Sequence, residues 1–172
     1  MMIATRRLHL IPATREHLDA ALESDAVLAR ALDVTLPASW PPEFFEEPAI
    51  RFTLERLAEG PDQARWWLHF VVLMGETPPL VGTAGFKGAP VAGTVEVGYS
   101  IVTEHQRRGY ATEATEALVA HAFLDRSVNR VIAETLPELR PSIGVLEKCG
   151  FLPVEESSAP GVLRFARGRA SA

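Results

Sequence analysis

Residues 96–123 read Glu-Val-Gly-Tyr-Ser-Ile-Val-Thr-Glu-His-Gln-Arg-Arg-Gly-Tyr-Ala-Thr-Glu-Ala-Thr-Glu-Ala-Leu-Val-Ala-His-Ala-Phe, and no other stretch limits the fold as much. A β-rich start passes through a short basic loop with one glycine into a helix. On that helix Ala111, Ala114, Ala117, Leu118 and Ala122 form a small-residue face suited to lying close against a sheet. The pattern predicts a strand–loop–helix unit and hence an α/β protein. A helix start exposes backbone N–H groups and about half a positive charge, so such a turn can seat an anion. Gly109 lets a ligand approach the backbone, Arg107 and Arg108 add charge, and Thr112 offers a hydroxyl. Glu113 and Glu116 suit the helix dipole but would repel an anion on their own side, so they must face elsewhere. The phosphate-loop pattern G-x-x-x-x-G-K-[ST], the dinucleotide pattern G-x-G-x-x-G and the nucleophile elbow G-x-S-x-G are all missing. Taken alone, the two arginines and the glycine also read as a solvated turn.

The rest of the chain supplies the sheet. Arg7 to Ile11 alternates like a half-buried strand and ends at Pro12. Thr14 is placed to cap a helix over Arg15–Leu22, and Ser24 or Asp25 a second one through Arg30. Residues 36–42 carry three prolines around Trp40 and predict a loop. A helix is expected over Glu47–Ala58, stopped by Gly60 and Pro61. Trp66–Met74, Leu80–Gly85 and Thr94–Val102 read as a three-strand meander, with a bulge expected in the third strand, where alternation lapses. After the helix Gly109–Leu124 come a strand Arg130–Glu134, a helix Pro141–Cys149 and a closing pair, Phe151–Val154 with Val162–Ala166. The order is β-α-α-α-β-β-β-α-β-α-β-β in one domain over residues 1–172, with a frayed end after Arg169.

Bulk properties narrow the function. A net charge of −5 argues against a general nucleic-acid binder. Cys149 is the only cysteine, so no internal disulfide forms, and no Cys/His spacing resembles a zinc site. The longest apolar run, Trp66–Met74, is too short to span a bilayer, and Met1–Pro12 lacks the apolar core of a signal peptide. The expectation is a cytoplasmic protein with no metal, no membrane contact and no nucleic-acid partner, as a monomer or homodimer.

Gln106-Arg107-Arg108-Gly109-Tyr110-Ala111 resembles the Q/R-x-x-G-x-G/A acetyl-CoA loop of the GCN5-related N-acetyltransferases, most closely the RimJ/RimL-type ribosomal-protein branch. Thr5–Leu10, Val95–Tyr99 and Ser142–Phe151 match in the same order, so the resemblance spans residues 5 to about 155. It implies a twisted, mostly antiparallel α/β sheet splayed between the strands Thr94–Val102 and Arg130–Glu134. The pantetheine arm of acetyl-CoA would lie in the gap and pair with Ile101, Val102 and Thr103. Gln106, Arg107, Arg108, Gly109, Tyr110, Ala111 and Thr112 would form the rest of the cofactor site, with the pyrophosphate on the amides from Arg107 to Thr112.

The implied reaction is acetyl transfer to a primary amine by direct attack. An α-amine has a pKa near 8 and a lysine amine near 10.4, so a base helps at neutral pH. Glu96 is the candidate base, and it reads equally as a strand carboxylate bonded to a neighbour. Backbone N–H groups near Ile101 and Val102 are candidate oxyanion donors. Ser142 is the residue that the resemblance places to donate toward the leaving sulfur; without it, Ser142 is an ordinary first-turn residue. Trp40 and Tyr99 are the candidate substrate-binding residues, and Trp40 reads equally as a structural plug. The family commonly has asparagine three residues before the serine, where this chain has Leu139. Leucine cannot reproduce an amide's hydrogen bonds. The acceptor is expected to be a protein N-terminus or a small amine, and Glu43, Glu46 and Glu47 are candidates for a wall facing a basic peptide. The other reading is an acyl-CoA-binding sensor that transfers nothing.

Overall fold

In the computed structural model, which describes residues 1–170 and residues 61–63 by their backbone alone, eight strands form one sheet flanked by five helices. The strands are β1 (Ile3–Ala4), β2 (Leu8–Pro12), β3 (Leu68–Leu73), β4 (Leu80–Phe86), β5 (Thr94–Ile101), β6 (Arg130–Thr135), β7 (Leu152–Val154) and β8 (Leu163–Gly168). The helices are α1 (Arg15–Glu23), α2 (Asp25–Leu32), α3 (Glu47–Ala58), α4 (Tyr110–Ala122) and α5 (Arg140–Lys148). The sheet order is β1-β2-β3-β4-β5-β6-β8-β7, and every pair is antiparallel except β5–β6. The expected frayed end reaches residues 171–172, which lie outside the described residues.

Local chemistry sets the boundaries. The Thr14 hydroxyl accepts from the His17 N–H while the His17 ring accepts from the Thr14 N–H, which is a capping box with histidine as its second member. Ser24 caps α2 through the Val27 N–H, and α3 spans the expected Glu47–Ala58. Three expectations need correction. Trp66 and Trp67 precede β3: a 3-10 turn over Pro61–Trp66 buries Trp66 against Phe86, and Trp67 stays half-buried. The bulge is not in β5, whose register with β4 runs without a break from Val97 to Ile101. It lies between β3 and β4, where Val71 pairs Gly82 and Val72 pairs Leu80, leaving Val81 extra. The two-residue strand β1 was not foreseen.

The core lies on both sheet faces. Successive strand residues point to opposite faces. His69 and Tyr99 face α4 and α5, while Phe70 faces α1 through His17 and the 36–46 loop through Phe45. Helix α4 buries Ala114, Thr115, Leu118, Val119 and Ala122 against the sheet. Filling that face with leucines and valines at under 2% exposure stabilises by roughly 1.5–3 kcal/mol per side chain.

Candidate active site

The parallel pair β5–β6 holds only three register positions, the last being Glu96 with Ile132. Beyond it β5 has a partner on one edge only, and β6 continues to Thr135 paired to β8 alone. A gap therefore opens between Val97–Ile101 and Ala133–Thr135. The Val102 N–H donates to the Val81 carbonyl (3.0 Å), so Val102 is committed to β4 and is not the free donor expected of it. Antiparallel alternation turns the N–H groups of Val97, Tyr99 and Ile101 the other way; the parallel rung at Glu96 and Ile132 takes up that of Val97, and those of Tyr99 and Ile101 face the gap. The Ile101 carbonyl accepts from Gln106 Nε2 (2.9 Å), a bond that ties the loop to the strand end. Thr103 begins a 3-10 turn through His105 and accepts from the Gln106 N–H through its carbonyl.

The loop then forms the foreseen cradle. Among the described residues, none of the six backbone N–H groups from Arg107 to Thr112 donates a hydrogen bond. Arg107 (φ 58°) and Gly109 (φ 80°) are both left-handed, which directs consecutive N–H groups into one concavity. At Gly109 a side chain would also strain the backbone and meet the Arg7 guanidinium. Arg107 and Arg108 are exposed beside it. This donor set fits a pyrophosphate.

Glu113 and Glu116 do not face away as expected: both line one cavity with Gly109 and Thr112, and the Glu113 charge is taken up by Arg7. The Glu113 carboxylate accepts from the Thr5 hydroxyl (2.7 Å), the Arg7 N–H (2.8 Å) and Arg7 Nε (2.6 Å). Burial opposes its ionisation, but these donors and the Arg7 charge outweigh burial and hold it below the usual glutamate range. Arg7 also donates to the Arg108 carbonyl (3.0 Å) and lies 4.7 Å from the Tyr110 ring centroid. Tyr110 thus packs at the helix start and fastens the loop. Arg7 was read as the start of a strand and as part of the Thr5–Leu10 match, and its hold on the loop was not foreseen.

Ser142 lies in the first turn of α5. Its carbonyl accepts from the Tyr99 hydroxyl (3.1 Å), and its own hydroxyl is 3.1 Å from the same oxygen. Burial pushes the Tyr99 phenol up to about 12, although the Ser142 hydrogen bond works against the rise. The phenol stays protonated and has one proton for two acceptors. Leu139 stands at the start of α5 with its side chain 41% exposed and makes no cap. Cys149 is buried, and burial followed by the Glu116 charge raises its thiol to about 11, which suits no nucleophile.

Glu96 points to the face opposite Tyr99, since the two are three positions apart on one strand. Its carboxylate forms an ion pair with Lys87, and the Lys87 N–H donates to the Glu96 carbonyl (2.9 Å). Gly85 and Gly98 pair directly across β4 and β5; the Trp67 backbone covers Gly85, while Gly98 leaves open space where a side chain would stand. Lys87 and the open space at Gly98 were missed, because the connection from Lys87 to Gly93 hides the register from the sequence. Trp40 is 9% exposed and packs on Phe45, whose ring meets Phe70, packing that suits the structural plug of its two readings.

Known proteins agree with this geometry. Residues 7–152 match the model of the acetyltransferase (GNAT) domain. The chain is 29% identical over 154 residues to YjdG of Bacillus subtilis, named as an N-acetyltransferase, covering 88% of this chain and 90% of that one. A GNAT-family acetyltransferase structure from Bacillus anthracis superposes with a TM-score of 0.65 at 24% identity over 98% of each chain. RimL, a ribosomal L7/L12 alpha-N-protein acetyltransferase solved with coenzyme A, superposes with a TM-score of 0.66 at 17% identity over 98% of each chain.

Proposed function

The chain belongs to the GNAT acetyltransferase family and uses acetyl-CoA, and from that premise we propose that it acetylates a primary amine by direct attack, with Glu96 as base and Ser142 as acid. The observation that carries the reading is the continuity of gap and cradle: the gap-facing amides of Tyr99 and Ile101 lead to the strand end, and unpaired loop amides continue from Arg107 to Thr112. Acetyl-CoA supplies the activated acyl group. The cradle amides, with Arg107 and Arg108, hold the pyrophosphate. The gap-facing N–H groups of Tyr99 and Ile101 hold the amides of the arm and steady the oxygen on which charge gathers.

Glu96 and Ser142 serve opposite faces of the sheet, so the amine enters from the Glu96 side while the sulfur departs toward Ser142. Glu96 takes the ammonium proton, directly or through water. Tyr99 acts here by orienting the Ser142 hydroxyl, beyond its expected place at the substrate: with its proton on Ser142 Oγ, the serine proton is free to reach the sulfur. Acceptors in this reading are a protein N-terminal amine or a small amine, met in the cytoplasm. RimL favours the first, and Glu43, Glu46 and Glu47 near the start of α3 suit a basic peptide. Release of free thiol from acetyl-CoA in the presence of peptides and small amines tests the proposal. Tight cofactor binding with no release for any amine would select the sensor reading instead.

A further inference from the structure

Among the described residues, the primary amine nearest the candidate base is the chain's own. Lys87 is one of two lysines, the other being Lys148. Three features bring it to the site. The backbone pair between Lys87 and Glu96 puts both side chains on one sheet face, at the last rung before β5 and β6 part. Its ammonium is ion-paired to the Glu96 carboxylate. Its stem leans past Glu96 toward the gap, for a Cβ built on Gly98 would lie 4.0 Å from Lys87 Cε. Gly98 pairs Gly85 of β4 but has no partner on its β6 edge, and it carries no side chain to bar the way. The Lys87 side chain is 60% exposed, so packing does not bar its reach over Gly98.

We propose that Lys87 occupies the seat of the acceptor amine and is acetylated by its own chain. The inference rests on the acetyltransferase reading above. In the step, Glu96 takes one proton from the Lys87 ammonium and passes it to solvent. The freed Nζ lone pair forms a bond to the acetyl carbon as the carbon–sulfur bond breaks. The second nitrogen proton leaves with the thiolate, so the products are acetyl-lysine and free coenzyme A thiol. Acetylation removes the positive charge at position 87 and releases the Glu96 carboxylate for an incoming amine.

The test is to incubate the purified chain with acetyl-CoA alone and follow Lys87 and Lys148 by peptide mass mapping. Lys87 is expected to gain acetyl on the order of 10-fold to 100-fold faster than Lys148, the gain expected of a positioned base and a nearby donor. The rate constant should not vary with protein concentration. Glu96→Gln should reduce Lys87 to the rate of Lys148, and Lys87→Arg should remove the modification while the chain still binds acetyl-CoA by calorimetry. With trace acetic anhydride and no cofactor, both exposed lysines should label alike. Equal labelling by acetyl-CoA, or selectivity that survives Glu96→Gln, overturns the inference. If acetyl-CoA binds tightly and Lys87 stays unmodified, the inference fails alone. Failure to bind acetyl-CoA overturns the cofactor reading with it.

Discussion

Replacing Glu113 by glutamine tests how the cofactor loop is held. In the native chain one oxygen takes the Thr5 hydroxyl and the Arg7 N–H, and the other takes Arg7 Nε at 2.6 Å. Glutamine keeps the first set through its carbonyl but turns an NH2 group toward the Arg7 Nε–H, donor against donor. One charge-assisted bond is lost, worth roughly 1.5–3 kcal/mol when sheltered. The Arg7 side chain is 37% exposed and can recover water, which reduces the figure to about 1–2 kcal/mol. For a chain of this length that lowers Tm by about 2–8 °C at pH 7. The loop also loses its anchor at the Arg108 carbonyl, so acetyl-CoA affinity should fall by about 5-fold, equivalent to about 1 kcal/mol. The pH dependence follows from the lowered native pKa. The stabilisation is complete above the reference glutamate value of 4.5 and fades as pH falls through the native value. Denaturation midpoints of the two proteins should therefore converge in acid. Equal midpoints at pH 7, or a gap that persists undiminished at strongly acidic pH, would refute the reasoning.

Other consequences are direct. Changing Arg107 and Arg108 both to alanine should raise the acetyl-CoA KM sharply while midpoints move little; Gly109→Val should raise KM as well and also lower the midpoint, since it forces a β-branched residue to positive φ, and unchanged calorimetric affinity would count against the cradle. Glu96→Gln should lower kcat and leave acetyl-CoA affinity intact; full activity would remove Glu96 as the base. Tyr99→Phe should cost about 1 kcal/mol of stability and lower kcat, and combined with Ser142→Ala should add little to the single changes, because the two act as one unit. Additive losses in that cycle would separate them. His69, buried with its ring near the Trp67 carbonyl, has its pKa lowered to about 4 from 6.5 by that burial. The unfolded chain takes a proton there that the folded chain refuses, so stability should fall by about 3 kcal/mol between pH 6.5 and 4. His69→Leu should flatten that slope in denaturant titrations.

Much of this architecture can be read before folding, and the reasons differ by element. The helix Glu47–Ala58 is legible because Pro48 and Gly60 punctuate it and its apolar residues keep a helical period. The cradle is legible because its residues are contiguous. Strand β4 is buried at all seven positions, so it shows no alternation from which a bulge could be placed. The partners of Glu113 lie 106 and 108 positions away, and nothing local identifies them. Glu96 paired to Lys87 depends on a register set by a turn. Trp40 reads alike as wall or plug, and only packing decides.

The seam between β5 and β6 has a mechanical meaning. Three register pairs join a plate of five strands to a plate of three. An arm that fills the gap acts as a ninth, borrowed strand and completes edges the chain leaves open. Binding then stabilises the whole by RT ln(1 + [L]/Kd), about 2.7 kcal/mol at a hundredfold excess over Kd. Amides of Tyr99 and Ile101 should exchange hydrogen with solvent readily in the free protein and slowly when it is loaded. A loaded protein should therefore resist unfolding and proteolysis better than a free one.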